Sequence, residues 1–268
     1  MTFNPDQVRV AQLYSRDVMC ELRVNDIPVL VGQEGLMENA AKPIRQFTVE
    51  GQNRLELRCG NPAAEPQKGG WSGMAWTKGR VADFWDGETM SEDGGSLMAE
   101  LEPELGEDTP NPTRAMATYS STWGGDWAWT QAPLIDPVGQ RGQLDAMMAW
   151  VIARFAARDM DSLVPLYEPA IRDRVAAYPV LSIEGQINMT RAWLSDTDAE
   201  TWEVEPFDPA NAVYRPAADG RMVQPLGQDG HPLIRSVWMP PEKEGGRETY
   251  ESLPLLIGLY KNELRFLV

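Results

Sequence analysis

Leu144, Met147, Met148, Val151, Ile152 and Phe155 recur at i, i+3, i+4, i+7, i+8 and i+11. That spacing lines six apolar side chains along one stripe of a helix, and such a stripe must be buried against another element. Asp145, Arg154 and Arg158 fall largely off the stripe, as a half-buried helix requires. Asp159 and Asp161 follow as candidate N-caps of a second helix carrying Leu163, Leu166 and Tyr167. Ile171, Val175 and Tyr178 continue the helical spacing, and Pro179 stops it. A third helix, with Ile187, Arg191 and Leu194, comes after Glu184-Gly185-Gln186.

Strand signals take over from Trp202. They run through Trp202-Val204, Ala212–Tyr214, Met222-Val223, Leu233–Trp238, Leu253–Tyr260 and Leu264–Val268. Lys261-Asn262-Glu263 supplies a turn between the last two. Sequential strands joined by short turns pair antiparallel, so this half reads as α+β and not as doubly wound α/β.

The first half reads differently. Val18, Cys20, Leu22 and Val24 alternate with Met19, Glu21 and Arg23, the period of a half-buried strand. Asn25-Asp26 tolerates the positive φ of a tight hairpin before Ile27, Val29 and Val31, and Pro28 fits an edge strand. Residues 32 to 41 read as a loop, and residues 60 to 75, rich in Gly, Pro and Ala, as another. A further strand is expected within Trp76–Trp85 and another over Arg114–Thr130. Pro133, Pro137 and Gly139 mark a polar stretch suited to a domain boundary.

Two stretches resemble known families. "PIRQFTVEGQNRLELRC", Pro43 to Cys59, is similar to a strand–turn–strand unit of immunoglobulin-like and jelly-roll β-sandwich domains. In the second half, "VIARFAARDMDSLVPLYEP", "SIEGQINMTRAWL" and the closing "LPLLIGLYKNELRFLV" resemble the nuclear transport factor 2-like (SnoaL-like) superfamily. Together these likenesses imply two domains: an all-β sandwich over 1–135, then an α+β cone over 142–268 with three helices packed on a curved antiparallel sheet. The cone resemblance also implies a conical pocket, used in that superfamily by isomerases, hydratases, polyketide cyclases and non-catalytic binders. No catalytic set of the superfamily aligns on this chain. Tyr167, Tyr178, Arg191, His231, Arg235 and Trp238 are the polar or amphipathic candidates for lining such a pocket. Insertions around Pro225 and from Pro240 to Gly246 depart from the compact family pattern.

The chemistry that the residues favour is limited. His231 is the sole histidine, in the loop-like "QDGHPLI", and no Gly-x-Ser-x-Gly elbow, phosphate-binding loop or dinucleotide fingerprint is present. Cys20 and Cys59 each end an alternating apolar series, which reads as two buried thiols facing one core. With so few soft ligands, neither a metal site nor a cofactor is expected. In "WGGDWAWT", Trp123, Trp127 and Trp129 suit either a core or interface, or a platform that stacks on sugar rings.

Charge narrows the partners. The net charge is −16 over 268 residues, and no Lys or Arg occurs between Arg80 and Arg114. Such a chain is repelled by phosphate backbones and anionic lipids, so neither nucleic acid nor a membrane surface is an expected partner. The acidic stretch 83–108 reads as a solvated face with a mobile loop at Asp93-Gly94-Gly95, as a docking surface for a basic partner, or as a divalent-cation site. No apolar run reaches the ~18–20 residues of a membrane span. Met1-Thr2-Phe3-Asn4-Pro5 lacks a basic segment followed by an apolar one, so a soluble cytoplasmic protein is expected. The resulting expectation is a non-catalytic bacterial interaction protein that binds a basic protein partner or a small-molecule ligand. The alternatives are an isomerase- or hydratase-type enzyme and a carbohydrate binder.

Overall fold

The computed structural model describes residues 7–32, 37–61, 66–85, 88–195, 204–238, 249–253 and 255–268, with the side chains of 193–195, 235–238 and 249–253 outside that description. The protein is mostly antiparallel β-sheet with a few helices. It divides into two compact units, Met1–Asp126 and Trp127–Val268. Ile135 lies in the core of the second unit, although composition places it just before the boundary.

The first unit holds β1 (Gln7–Arg16), β2 (Cys20–Val24), β3 (Ile27–Gly32), β4 (Met37–Pro43), β5 (Gly51–Cys59), β6 (Gln67–Lys68), β7 (Trp76–Trp85), β8 (Ser96–Leu101), β9 (Pro110–Asn111) and β10 (Thr113–Ser121). One sheet runs β4-β1-β7-β8, a second runs β10-β5-β2-β3, and β6 pairs with β9. The hairpin at Asn25-Asp26 forms with both residues at positive φ, 51° and 62°. Pro28 sits in β3, an edge strand, where its missing N–H costs no ladder bond with a further neighbour. β4 corrects the expected loop over 32–41. Its Glu-Asn-Ala-Ala-Lys composition has little strand propensity, but seven residues pair in register with β1 from Val10↔Pro43 to Arg16↔Met37.

The two sheets face each other, and Gly79 shows how closely. A Cβ at Gly79 of β7 would fall 2.5 Å from Leu22 Cδ1 of β2, so the absent side chain is the space that Leu22 fills. Leu13, Leu22, Leu55, Leu57 and Val81 are fully buried there. The turn after β2 is fastened to the one before β5 by asparagines. Asn25 Nδ2 donates to Asn53 Oδ1 at 2.8 Å and to the Phe47 carbonyl at 2.9 Å. Asn53 in turn accepts from Val49 N–H and donates to Val49 O, both at 2.8 Å.

The second unit opens with α1 (Ala128–Gln131), α2 (Arg141–Ala156), α3 (Met160–Leu163), a 3-10 turn at Val164–Tyr167, α4 (Glu168–Ala177) and α5 (Ile183–Ser195). It continues with β11 (Ala212–Ala217), β12 (Met222–Gly227), β13 (Ile234–Trp238), β14 (Thr249–Leu253), β15 (Ile257–Tyr260) and β16 (Glu263–Phe266). The stripe on α2 is buried as its spacing requires: Leu144, Met148, Val151, Ile152 and Phe155 join one core with β11, β12, β15 and β16. Of the two candidate caps, Asp159 is the one used, its carboxylate accepting the Ser162 N–H at 3.2 Å and the Ser162 hydroxyl at 2.7 Å. The four-stranded sheet runs β11-β12-β15-β16, and β13 pairs with β14. Lys261 and Asn262 make the last turn with φ of 52° and 65°. Pro225 stands opposite Tyr214 of β11 but beyond Met222 and Val223, where β12 pairs with β15, so it breaks no ladder bond on the β15 side. Trp202 and residues 240–246 lie outside the described residues. No helix among those described is long and apolar enough to cross a membrane.

Candidate functional site

Of the two roles open to the tryptophans, Trp127 and Trp129 take the core one. Arg114–Thr130 is strand only as far as Ser121, and α1 follows, because the Ala128 N–H is held by the Asp173 carboxylate at 2.7 Å instead of by a neighbouring strand. Trp127 and Trp129 are buried, 5% and 7% exposed, so neither offers a ring face to a sugar. Trp123 is half-buried in the first unit, with the Arg9 and Arg45 guanidinium groups over its ring at 4.6 and 4.7 Å.

Of the six pocket candidates, the four whose side chains are described have separate surroundings. Tyr167 is in the core of the second unit against the Phe266 ring, 4.6 Å between centroids; its hydroxyl is buried with no hydrogen-bond partner among the described residues, and burial pushes its pKa upward. Tyr178 is half-buried just past α4, its N–H capping the Arg174 carbonyl. Arg191 points to solvent on α5, paired with Asp161 at 2.9 Å. His231 lies in a turn, its N–H donating to Asp229 and its carbonyl accepting the Gly227 N–H. Arg235 and Trp238 belong to β13, but their side chains are outside the described residues. A cavity of about 30 Å³ does occur in this unit, lined by Ile152, Glu205, Pro206, Phe207, Asp208, Asn211 and Leu233. It has room for about one water, and Tyr167, Tyr178, Arg191 and His231 are not among its described lining residues. No group of three or more His, Cys, Asp or Glu able to hold a metal is found among the described residues.

Polar contacts that the sequence does not disclose lie elsewhere. Tyr214 of β11 donates to Asp145 of α2 at 2.8 Å, and Arg141 pairs with the same carboxylate at 3.0 Å while lying over the Tyr214 ring. Asp173 is pushed up to about 7, chiefly by burial, despite the Ala128 N–H that favours its charged form. In the first unit Arg9 pairs with Asp83, and Glu21, Arg23, Asp26, Glu56 and Arg58 form a linked ionic cluster with contacts of 2.6 to 3.2 Å. Arg23 and Glu21 alternate with Cys20 and Leu22, which identifies their face of the strand but not their burial. Arg23 is fully buried.

These inward arginines shape the outside. Among the described residues of the first unit the buried charged ones are Arg9, Arg23, Arg45 and Arg80 against Glu21, Glu56 and Asp83. Among those residues burial withdraws four bases and three acids. Glu88, Glu92, Asp93, Glu100, Glu102, Glu104, Glu107 and Asp108 are all exposed. Lysines reach three of them: Lys78 lies 3.4 Å from Glu92 and 3.3 Å from Glu100, and Lys68 lies 3.8 Å from Asp108. Trp85, Met90 and Leu97 stand exposed in the same stretch of chain, at 52%, 47% and 54%.

The turn expected to be a mobile loop is instead a held support for this surface. Glu88 accepts the N–H groups of Trp85 and Gly95, at 3.0 and 2.9 Å, which lower its pKa. Arg80 donates to the Gly94 carbonyl at 2.8 Å, and Gln12 to that of Met90 at 3.2 Å. The chain's own buried side chains thus satisfy the carbonyls that a Gly-rich turn would otherwise leave to water. Compared with protein-family models, with curated proteins and with solved structures, the chain finds no match in any of the three.

Proposed function

We propose that this protein is a non-catalytic binding protein whose acidic face on the first unit receives a basic macromolecular partner. The observation that carries the reading is the stretch 85–108: eight exposed carboxylates with exposed Trp85, Met90 and Leu97, the three carboxylates at 88–93 lying on a turn held by Gln12 and Arg80. Interfaces combine apolar anchors with complementary charge, the charge steering encounter and the anchors holding the complex. The two facing four-stranded sheets support a β-sandwich of immunoglobulin-like or jelly-roll kind, and helices followed by an antiparallel sheet support a nuclear transport factor 2-like cone.

The test is affinity capture from the native host at low salt, with the wild-type chain and with Glu102→Lys/Glu104→Lys/Glu107→Lys side by side. The expected result is one stoichiometric basic partner whose affinity falls as salt rises and which the charge-reversed chain does not retain. Recovery of no partner at low salt, or equal recovery by both chains, would overturn the proposal.

A further inference from the structure

Cys20 of β2 and Cys59 of β5 are direct partners in the antiparallel ladder. Both thiols are free and buried between the two sheets of the first unit, 1% and 0% exposed. One ladder bond fixes what kind of pair they are. The Gly60 N–H donates to the Met19 carbonyl at 2.8 Å, so Met19 and Gly60 are a hydrogen-bonded pair. Bonded and non-bonded pairs alternate along an antiparallel ladder, which makes Cys20 and Cys59, the next pair inward, a non-hydrogen-bonded one. Opposed Cα atoms in such pairs are about 4.5 Å apart with their side chains closest, inside the range of roughly 4.4–6.8 Å that a disulfide spans. The Cys20 Sγ accepts the Thr77 hydroxyl at 3.5 Å, and the two cysteines already stand in register across the ladder.

We propose that Cys20 and Cys59 form a latent cross-strand disulfide, closed by thiol–disulfide exchange with a low-molecular-weight disulfide such as oxidised glutathione. One cysteine thiolate attacks the glutathione disulfide, forming a mixed disulfide and releasing one glutathione thiolate. The second cysteine thiolate then attacks the protein sulfur of that intermediate, forming the Cys20–Cys59 bond and releasing the second glutathione. Two electrons pass from the protein sulfurs to the glutathione disulfide, and the two thiol protons end on the two glutathione thiols. Burial raises the pKa of both cysteines, which keeps the closed native core slow to react and directs exchange to folding or to transient opening of the sheet.

The experiment needs no partner, so it stands apart from the binding proposal. The full chain, reduced and unfolded, is refolded to equilibrium in a glutathione buffer poised to oxidise. Its intact mass, denatured thiol content, non-reducing peptide map and melting temperature are then read. The expected product has lost the mass of two hydrogens and both titratable thiols, and it yields one linked peptide pair joining Cys20 to Cys59. It melts about 5–10 °C higher than the reduced chain, a gain that a reductant reverses. Cys20→Ser and Cys59→Ser should each give no internal link. Two thiols still free at equilibrium, glutathione carried on both sulfurs, or a linked chain that melts below the reduced one would each overturn the proposal.

Discussion

Arg9 and Asp83 sit directly opposite each other on β1 and β7 and meet through two parallel hydrogen bonds, Nε to Oδ1 at 2.6 Å and Nη2 to Oδ2 at 2.7 Å. The pair is almost wholly buried, and the Arg9 guanidinium also lies over the rings of Tyr119 and Trp123. Removing one member leaves the other charged and uncompensated. Asp83→Ala is therefore expected to cost about 3–5 kcal/mol in urea unfolding, while Arg9→Met/Asp83→Leu, which removes both charges, should cost much less. Equal losses in the single and double variants would show that shape, and not charge, holds this corner.

Asn53 is a second point of concentrated dependence. It is fully buried and bridges Val49 and Asn25, so truncation strands an N–H, a carbonyl and an amide together. Asn53→Ala should cost about 2–4 kcal/mol, and Asn53→Asp should retain the bonds in which its oxygen accepts but lose those to Val49 O and Gly51 O. Chemical denaturation of the three chains decides it.

Asp173 predicts a pH dependence with a definite sign. Its pKa of about 7 in the folded chain lies above the ordinary carboxylate value, so the folded state holds the proton more tightly than the unfolded one. Below about pH 4 both states are protonated and the contribution is intact. As pH rises through 7 the buried carboxyl ionises and stability is lost, by about 2–4 kcal/mol in full. Asp173→Asn should still accept the Ala128 N–H and remove this slope, so the difference between the two stability–pH curves between pH 4 and 8 is the measurement. A flat difference would place the carboxyl in water.

Gly79 predicts a coupling. Gly79→Ala drives a methyl into Leu22 and is expected to cost about 1–3 kcal/mol, and Leu22→Ala about 2–5 kcal/mol through the void it leaves. The double variant puts one methyl into the other's void, so it should be more stable than the sum of the two losses by more than about 0.5 kcal/mol. Strict additivity would show that the sheets can move apart there.

Much of the fold can be read in the residues, and the reasons differ by element. The α2 stripe is visible because burial on one face imposes a period, and the alternation through Cys20, Leu22 and Val24 because the apolar face of β2 turns to the other sheet while its second face, also buried, carries Glu21 and Arg23. The turns at Asn25-Asp26 and Lys261-Asn262 are visible because few residues tolerate positive φ. β4 is not, because its pairing with β1 supplies what its own side chains lack. α1 is not, because Trp-Ala-Trp alternates like a strand and the helix depends on Asp173, forty-five residues away. The site divides in the same way. Stretch 88–108 declares its charge, but whether its central turn is held depends on Gln12 and Arg80, which no local pattern links to it. Among the pocket candidates, residue type names Tyr167 and Arg191, and only packing assigns one to the core and the other to water.

Among the described residues every hydrogen-bonded strand pair closes within 7–121 or within 212–266. Among those residues no ladder joins the two units, which meet in sequence at Asp126 and Trp127. The consequence bears on ancestry: a recombination event near codon 126 would lose, duplicate or exchange either part with each described sheet kept whole.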